Sequence, residues 1–320
     1  MKKIFIPVYE PELSGNELKY LTKCIKTNWI SSLGEYVAQF EEDFGKFVGT
    51  RYAVSSSSGT TALHLALAAL GIGKGDEVIV PDLTFVATAN AVSYTGARPV
   101  FVDASHDTWN IDPRSMARKI TKSTKAIIAV HLYGHSADMD AILALAKAHG
   151  LWVIEDAAEA HGAEYKGNKV GSLGDIGCFS FYGNKIITTG EGGMVVTNNA
   201  DTAKRVKMLR DHAMSQDQVY WHEVIGYNYR MTNVQAAIGV AQLERIASII
   251  EIKRENAMIY NSFLKDIPGI VLPPELPWAK SVYWMYSILI EKTAGISRNT
   301  LMLALKEKGC LLYTSPSPRD

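Results

Sequence analysis

Lys185 lies in the stretch Phe179-Ser180-Phe181-Tyr182-Gly183-Asn184-Lys185, followed by Gly190-Glu191-Gly192-Gly193. Upstream, the apolar run Trp152-Val153-Ile154 ends in Glu155-Asp156. A lysine in a glycine-punctuated loop, one short strand after a carboxylate that closes another strand, suits a group held at one point in a cleft. An ordinary lysine has a pKa of about 10.4, so only about one in a few thousand is neutral at pH 7. A reactive lysine therefore needs desolvation or neighbouring cations. Together, Lys185 and Asp156 suggest a carbonyl cofactor, with pyridoxal 5'-phosphate (PLP) first. The lysine would join the carbonyl carbon and, once released, shuttle a proton. The acid would pair with the protonated pyridine nitrogen and keep the ring an electron sink. Taken singly, Asp156 also reads as a helix cap and Lys185 as a solvated loop lysine; Ser180, the glycines and the acid together favour the chemical reading.

A phosphate needs its own cradle. Ser55-Ser56-Ser57-Ser58-Gly59-Thr60-Thr61 joins an apolar strand to a helix. Free N–H groups and the positive end of a helix dipole bind phosphate, small hydroxyl side chains add donors, and glycine lets the backbone approach closely. By itself the segment also reads as a plain N-cap. Gly71-Ile72-Gly73-Lys74-Gly75-Asp76 stands between helix and strand, the wrong order for a dinucleotide fingerprint, and reads as a turn.

These residues must be positioned by alternating elements. Short, continuous, β-branched runs predict strands at Tyr52–Ser55, Glu77–Val80, Pro99–Val102, Ala126–His131, Trp152–Ile154, Cys178–Phe181 and Met194–Thr197. Helical patterns at Gly59–Leu70, Phe85–Tyr94, Pro113–Lys119 and Met139–His149 lie between the earlier strands. This is the pattern of an α/β sheet covered on both faces. Ser14 to Glu17 reads as a capping box opening a helix to about Lys26, and Tyr36 to Val48 as a second amphipathic helix. Helix Val234–Ile250, a helix to about Leu264, a linker marked by Pro268, Pro273, Pro274 and Pro277, a strand Tyr283–Ile290 and a last helix from Arg298 follow. We expect a large domain over 1–250, with residues 1–15 free to pack elsewhere, and a smaller, incomplete α+β domain over 251–309.

The 320 residues are 47% hydrophobic and 21% charged, with 33 basic against 33 acidic side chains. Zero net charge offers no electrostatic footprint for nucleic acid or an anionic membrane. Cys24, Cys178 and Cys310 are scattered, form no metal-ligand spacing and suit a reducing cytoplasm. No signal peptide or membrane-length apolar run is present. Residues 310–320, Cys310-Leu311-Leu312-Tyr313-Thr314-Ser315-Pro316-Ser317-Pro318-Arg319-Asp320, resemble a translated sequencing adapter and are read as a non-native tail. On that reading the strand at Tyr283 is expected to lack packing partners.

The motifs together carry a resemblance. Trp29-Ile30-Ser31-Ser32-Leu33-Gly34, Ser58-Gly59-Thr60-Thr61-Ala62-Leu63, Gly75-Asp76-Glu77-Val78, Thr84-Phe85-Val86-Ala87-Thr88, Glu155-Asp156-Ala157-Ala158, Ser180-Phe181 with Lys185, Gly190-Glu191-Gly192-Gly193 and Gly226-Tyr227-Asn228-Tyr229-Arg230-Met231 stand in one order. In these, residues 4 to about 309 resemble the DegT/DnrJ/EryC1/StrS family of nucleotide-sugar aminotransferases, PLP enzymes of fold type I. The resemblance implies a mostly parallel seven-stranded sheet and a cytoplasmic homodimer with shared sites. It implies Lys185 as the catalytic, cofactor-joining lysine and Asp156 on the pyridine nitrogen. Ser58, Gly59, Thr60 and Ser180 would hold the phosphate, with Asn228 reaching it from the partner subunit. Phe85 would stack on the ring, and Glu159 would lie near the phenolic oxygen where the wider family has glutamine. His131-Leu132-Tyr133-Gly134-His135 and Tyr220-Trp221-His222-Glu223-Val224-Ile225-Gly226 point within the family to a GDP-linked 4-keto-6-deoxy sugar, with glutamate as amino donor. A UDP- or dTDP-linked ketosugar remains the alternative, and a nonenzymatic nucleotide-sugar-binding regulator the remote one. Lys185 itself argues against the dehydratase branch, which carries histidine there. His161 is a candidate cofactor contact. Trp29 and Trp109 are either pocket or core, and His64 reads as a satisfied helix histidine.

Overall fold

A computed structural model describes residues 5–215, 218, 220–222 and 224–313. Along the chain lie α1 (Glu17–Thr27), α2 (Glu35–Val48), β1 (Tyr52–Ser56), α3 (Gly59–Ala69), β2 (Glu77–Pro81), α4 (Ala87–Tyr94), β3 (Arg98–Val102), α5 (Pro113–Lys119), β4 (Thr124–Val130), α6 (Met139–His149) and β5 (Trp152–Asp156). Then come β6 (Glu164–Tyr165), β7 (Asn168–Lys169), β8 (Ile176–Ser180), β9 (Gly193–Thr197), α7 (Ala200–Arg210), α8 (Asn233–Leu243), α9 (Ile246–Leu264), β10 (Ile270–Val271), β11 (Ala279–Lys280), β12 (Leu289–Ile290) and α10 (Arg298–Glu307).

The central sheet has seven strands in the order β1-β9-β8-β5-β4-β2-β3. β3, β2, β4, β5 and β8 run parallel, and β9 is antiparallel to both β8 and β1. All seven expected strands are present within a residue or two, because strands covered on both faces read as unbroken apolar runs. One core cluster packs Leu63, Leu65 and Leu67 of α3 with Val78, Ile128 and Ile154 of the sheet. Phe40 and Phe44 of α2 meet Phe179 and Phe181 in a second cluster, and Met139 and Ile142 of α6 meet Ile127 in a third. The sheet thus has apolar layers on both faces, the α/β architecture expected.

Register sets the site. Asp156 lies opposite Val130 on one side and Cys178 on the other. Two residues farther along β8, Ser180 lies opposite Gly193, which lies opposite Ser56. The ends of β1, β5 and β8 therefore open on one edge, the edge where parallel sheets place ligands.

Four expectations need correction. No capping box forms at Ser14: α1 begins at Glu17 with Asn16 as its N-cap and no side-chain cap bond. Glu17 is buried instead, its carboxylate accepting from Gln242 Nε2 at 2.6 Å. The helix expected over Val234–Ile250 breaks between α8 and α9, where Glu244 accepts hydrogen bonds from Asn16 and Tyr20 and Arg245 pairs with Glu12. Only Leu289–Ile290 of the strand expected over Tyr283–Ile290 is a strand, because Tyr283 adopts a left-handed backbone at φ 45°. The expected loss of packing there is also not seen: Val282, Tyr283 and Trp284 are buried and Tyr286 stacks on Tyr260. In addition β11, β6 and β7 form a separate three-stranded sheet that the sequence patterns did not suggest. Cys310 bridges to Ile6, with Ile6 N–H donating to the Gly309 carbonyl at 2.9 Å. Residues 314–320 of the tail lie outside the described residues.

Candidate active site

The phosphate-sized cradle forms where β1 turns into α3. Ser58 is the N-cap: its hydroxyl accepts from Thr61 N–H, and Thr61 Oγ1 accepts from Ser58 N–H. The first N–H groups of a helix have no partner within it. The cap takes Thr61, which leaves Gly59 and Thr60 N–H at the open, positive end of α3. Ser58 therefore holds the helix end rather than offering a free hydroxyl. A Cβ on Gly59 would stand 2.6 Å from Ser180 Cβ, and one on Gly193 would collide with the Ser58 carbonyl. Only glycine allows the three strand ends to close this tightly, and Ser180 is brought against Gly59 as a result. Behind the cradle, Arg210 pairs with Glu41 and donates to the Ser55 carbonyl at 2.9 Å, fixing β1 from below.

Asp156 is buried at the end of β5. Its Oδ2 accepts from Thr88 Oγ1 at 2.8 Å and its Oδ1 from Ala158 N–H at 3.3 Å. Burial raises its pKa, opposed by these donors and by the charges of Lys185 and His131. Glu159 is buried beside it, its Oε2 accepting from Tyr133 N–H at 2.8 Å. Burial pushes Glu159 up to about 7, with Lys185 opposing. Burial also lowers Lys185, against the pull of Glu159 and Asp156. The amine and the two acids thus lie close enough to influence one another, each driven toward its neutral form.

His161 is fully buried among Phe44, Phe179 and Phe181, with no hydrogen-bond partner on either ring nitrogen. Burial first, then Lys185, lowers its pKa to about 3, so it is neutral. Phe85 is 68% exposed, which removes the alternative of a core aromatic and leaves its ring open at this edge. Trp109 is core and Trp29 is exposed. His64 is buried, with Nδ1 3.2 Å from Tyr229 Oη. Asn228 Oδ1 accepts from Arg230 at 3.2 Å, and the next residue's carbonyl accepts from Ser57 N–H at 2.8 Å. Glu223, within one of the segments singled out above, lies outside the described residues.

Sequence reasoning passed over three contributors. Thr88 stood in a quoted motif but gave no sign of binding the acid. Tyr9 Oη donates to the Lys185 carbonyl at 2.7 Å. Trp284 Nε1–H donates to the Asn184 carbonyl at 2.6 Å, and its ring lies beneath the lysine. Neither aromatic had a local signal, since both reach the loop from remote segments.

The family's sequence profile, described as the DegT/DnrJ/EryC1/StrS aminotransferase family, matches residues 11–315. The chain belongs to this family. It is 52% identical over 286 residues to a GDP-perosamine synthase of Escherichia coli, covering 89% of this chain and 78% of that one. It is 48% identical over 305 residues to the GDP-perosamine synthase of Caulobacter vibrioides, covering 95% and 82%. The solved structure of DesV from S. venezuelae superposes with a TM-score of 0.87 at 39% identity, covering 92% of this chain and 78% of that one. The protein is thus a PLP-dependent sugar aminotransferase.

The residues present fit PLP. A cradle that a Cβ would fill, a buried acid with one strong donor and a half-buried lysine with a lowered pKa match, in turn, a phosphate, a pyridine nitrogen and a carbonyl carbon. Among the described residues no helix is long and apolar enough to cross a membrane.

Proposed function

We propose that this enzyme moves an amino group from glutamate to C4 of GDP-4-dehydro-6-deoxy-D-mannose, giving GDP-perosamine for a surface glycan. The nucleotide and sugar rest on the two relatives named GDP-perosamine synthase, each near half identical over most of this chain. The observation that carries the reaction is the convergence of half-buried Lys185 with buried Asp156 and Glu159 at the edge that holds the α3 cradle.

When bound, PLP supplies a cationic ring that draws electrons from the carbon next to the nitrogen. Lys185 is the catalytic residue: its lowered pKa favours the neutral amine that can attack a carbonyl carbon, and the same Nζ can later carry a proton between carbons. Asp156, its carboxylate held by Thr88, would orient the ring and keep its nitrogen protonated. Gly59 and Thr60 N–H and Ser180 would hold the phosphate. Glu159 would lie near the phenolic oxygen, where burial favours its protonated form. Phe85 would cover the ring.

A second copy of the chain would complete the site, with Asn228 reaching its phosphate. Support comes from the exposed apolar side chains Trp29, Ile30, Leu33, Phe85, Tyr220 and Ile225. The division at 250/251 falls inside α9, so that helix would bridge the two domains. The test is the visible absorption of the protein loaded with PLP. A band that bleaches with glutamate and returns with the GDP-linked ketosugar, but not its UDP or dTDP counterparts, is expected. A band that persists in Lys185→Ala would overturn the assignment of that lysine.

A further inference from the structure

The Lys185 amine feels two acids, Glu159 and Asp156, and it also lies over an aromatic ring. Nζ lies 4.0 Å from the centroid of the Trp284 ring. None of the ion pairs within 4.0 Å among the described residues involves Lys185. The same indole donates its N–H to the Asn184 carbonyl, one residue before the lysine, at 2.6 Å. Trp284 is 8% exposed and Lys185 is half-buried, so the indole side of this contact is shielded from water.

The chain goes to some length to bring Trp284 there. Val282 N–H donates to the Gly134 carbonyl at 3.1 Å, and Tyr283 takes its left-handed turn at φ 45°. Such a φ is uncommon for a bulky residue and persists only where the surroundings over-determine it. Here Tyr283 Oη donates to Glu275 at 3.0 Å, and Arg254 ties Glu275 to α9. Lys253, also on α9, reaches the Trp284 carbonyl at 3.5 Å and lies over the Tyr9 ring. Tyr9 in turn donates to the Lys185 carbonyl. The loop bearing the lysine is thus held through two of its own carbonyls, one accepting from each of two remote aromatics.

We propose that Trp284 is a positioning residue whose ring face is the docking place of the Lys185 side chain when that amine is free of the cofactor and carries a proton. The idea rests on the reading of Lys185 as the cofactor-joining lysine. A cation over an indole face is stabilised by the ring quadrupole, and more so when desolvated. Trp284 thereby keeps the released amine beside the site instead of letting it swing toward the carboxylates. The titratable groups around Lys185 are Asp156 at the end of β5, Glu159 just after it, neutral His161, and Tyr9, with Lys253 reaching the Trp284 carbonyl. None of them is altered by changing the indole.

The test uses the cofactor-free protein. Trace acetylation across pH, read by mass spectrometry on the Lys185 peptide, gives the midpoint at which this amine becomes reactive. Trp284→Leu keeps the site buried but removes the ring face, so the neutral amine is favoured and the midpoint should fall by about one unit. Trp284→Phe keeps a smaller ring face while losing the N–H bond to Asn184, so its midpoint should fall less than that of Trp284→Leu and stay near wild type. Thermal unfolding confirms that each variant is folded; if Trp284→Leu is not, Trp284→Met carries the same expectation. An unchanged midpoint in the aliphatic variants, or an equal fall in Trp284→Phe, overturns the proposal. The glutamate-bleachable band of the PLP-loaded variants is read separately: its retention with a shifted midpoint supports both assignments, and its loss in wild type would sink the parent reading alone.

Discussion

Thr88→Val isolates the support of the site acid. Thr88 Oγ1 donates to Asp156 Oδ2 at 2.8 Å, and both residues are buried. Valine replaces the hydroxyl with a methyl group of similar size, so the change removes one donor to the carboxylate together with the 2.8 Å hydrogen bond between the Thr84 and Thr88 hydroxyls. A hydrogen bond to a charged group contributes about 1.5–3 kcal/mol. At about 1.4 kcal/mol per tenfold, PLP should bind roughly 10- to 100-fold more weakly. The remaining side-chain acceptor contact, from Ala158 N–H at 3.3 Å, is too long to compensate. The effect should also depend on pH. Asp156 pairs with a protonated pyridine only when ionised, and burial already raises its pKa. Removing a donor raises it further, so the penalty grows as pH falls. Titration of the cofactor-free variant with PLP at pH 8 and pH 6, followed by visible absorption, measures both. A dissociation constant within about twofold of wild type at both pH values, or a penalty that shrinks toward pH 6, would refute the reasoning.

Two further changes probe the ground beneath the site. Glu159 rises from 4.5 to about 7 on burial, so the folded cofactor-free protein keeps a proton that the unfolded chain releases between those pH values. Its contribution to stability therefore declines as pH rises through that window, and Glu159→Gln should gain relative to wild type across it, reaching at most about 3 kcal/mol at pH 8 by urea unfolding; a pH-independent difference would contradict this. Glu155, fully buried, accepts from the N–H groups of Gly171, Leu173 and Gly174 at 2.7, 2.7 and 2.6 Å and sits 2.9 Å from His131 Nε2. Glu155→Gln turns one acceptor into a donor facing donors and should cost about 3 kcal/mol or more in urea unfolding, while a loss below about 1 kcal/mol would show the loop to be held elsewhere.

The sequence disclosed the parts of the site that strand ends determine. β1, β5 and β8 open with apolar residues and end in polar ones, so Asp156 and Ser180, at the ends of β5 and β8, were legible as site residues. Gly59 and Gly193 were legible as glycines in the right loops, and the structure adds the collision that requires them. The contributions of Trp284 and Tyr9 were not legible, because each depends on a crossing of 100 or more residues with no local periodicity. The strands β6, β7 and β11 are two residues each, too short for any alternation to register. The lost capping box has a different cause. Ser14 and Glu17 have the right local chemistry, but Gln242 of α8 captures Glu17, so a tertiary contact overrides a local preference.

Adjacent residues on a strand face opposite ways, and the end of β5 uses this to separate scaffold from chemistry. Glu155 turns to the loop at Gly171–Gly174 and to His131, and every acceptor contact it makes is structural. Asp156 turns the other way and keeps only Thr88 and one long backbone contact. The first acid is fully provided for inside the protein; the second is not. Around it, burial drives Asp156 and Glu159 up and Lys185 down, so all three resist the charged state that catalysis requires of at least one. A ligand bearing a protonated ring nitrogen would restore the ionised form of Asp156, and a phosphate would meet the unpartnered N–H groups of α3. The fold therefore leaves unsatisfied at this edge the groups that binding satisfies, and it concentrates its own hydrogen bonds one residue away.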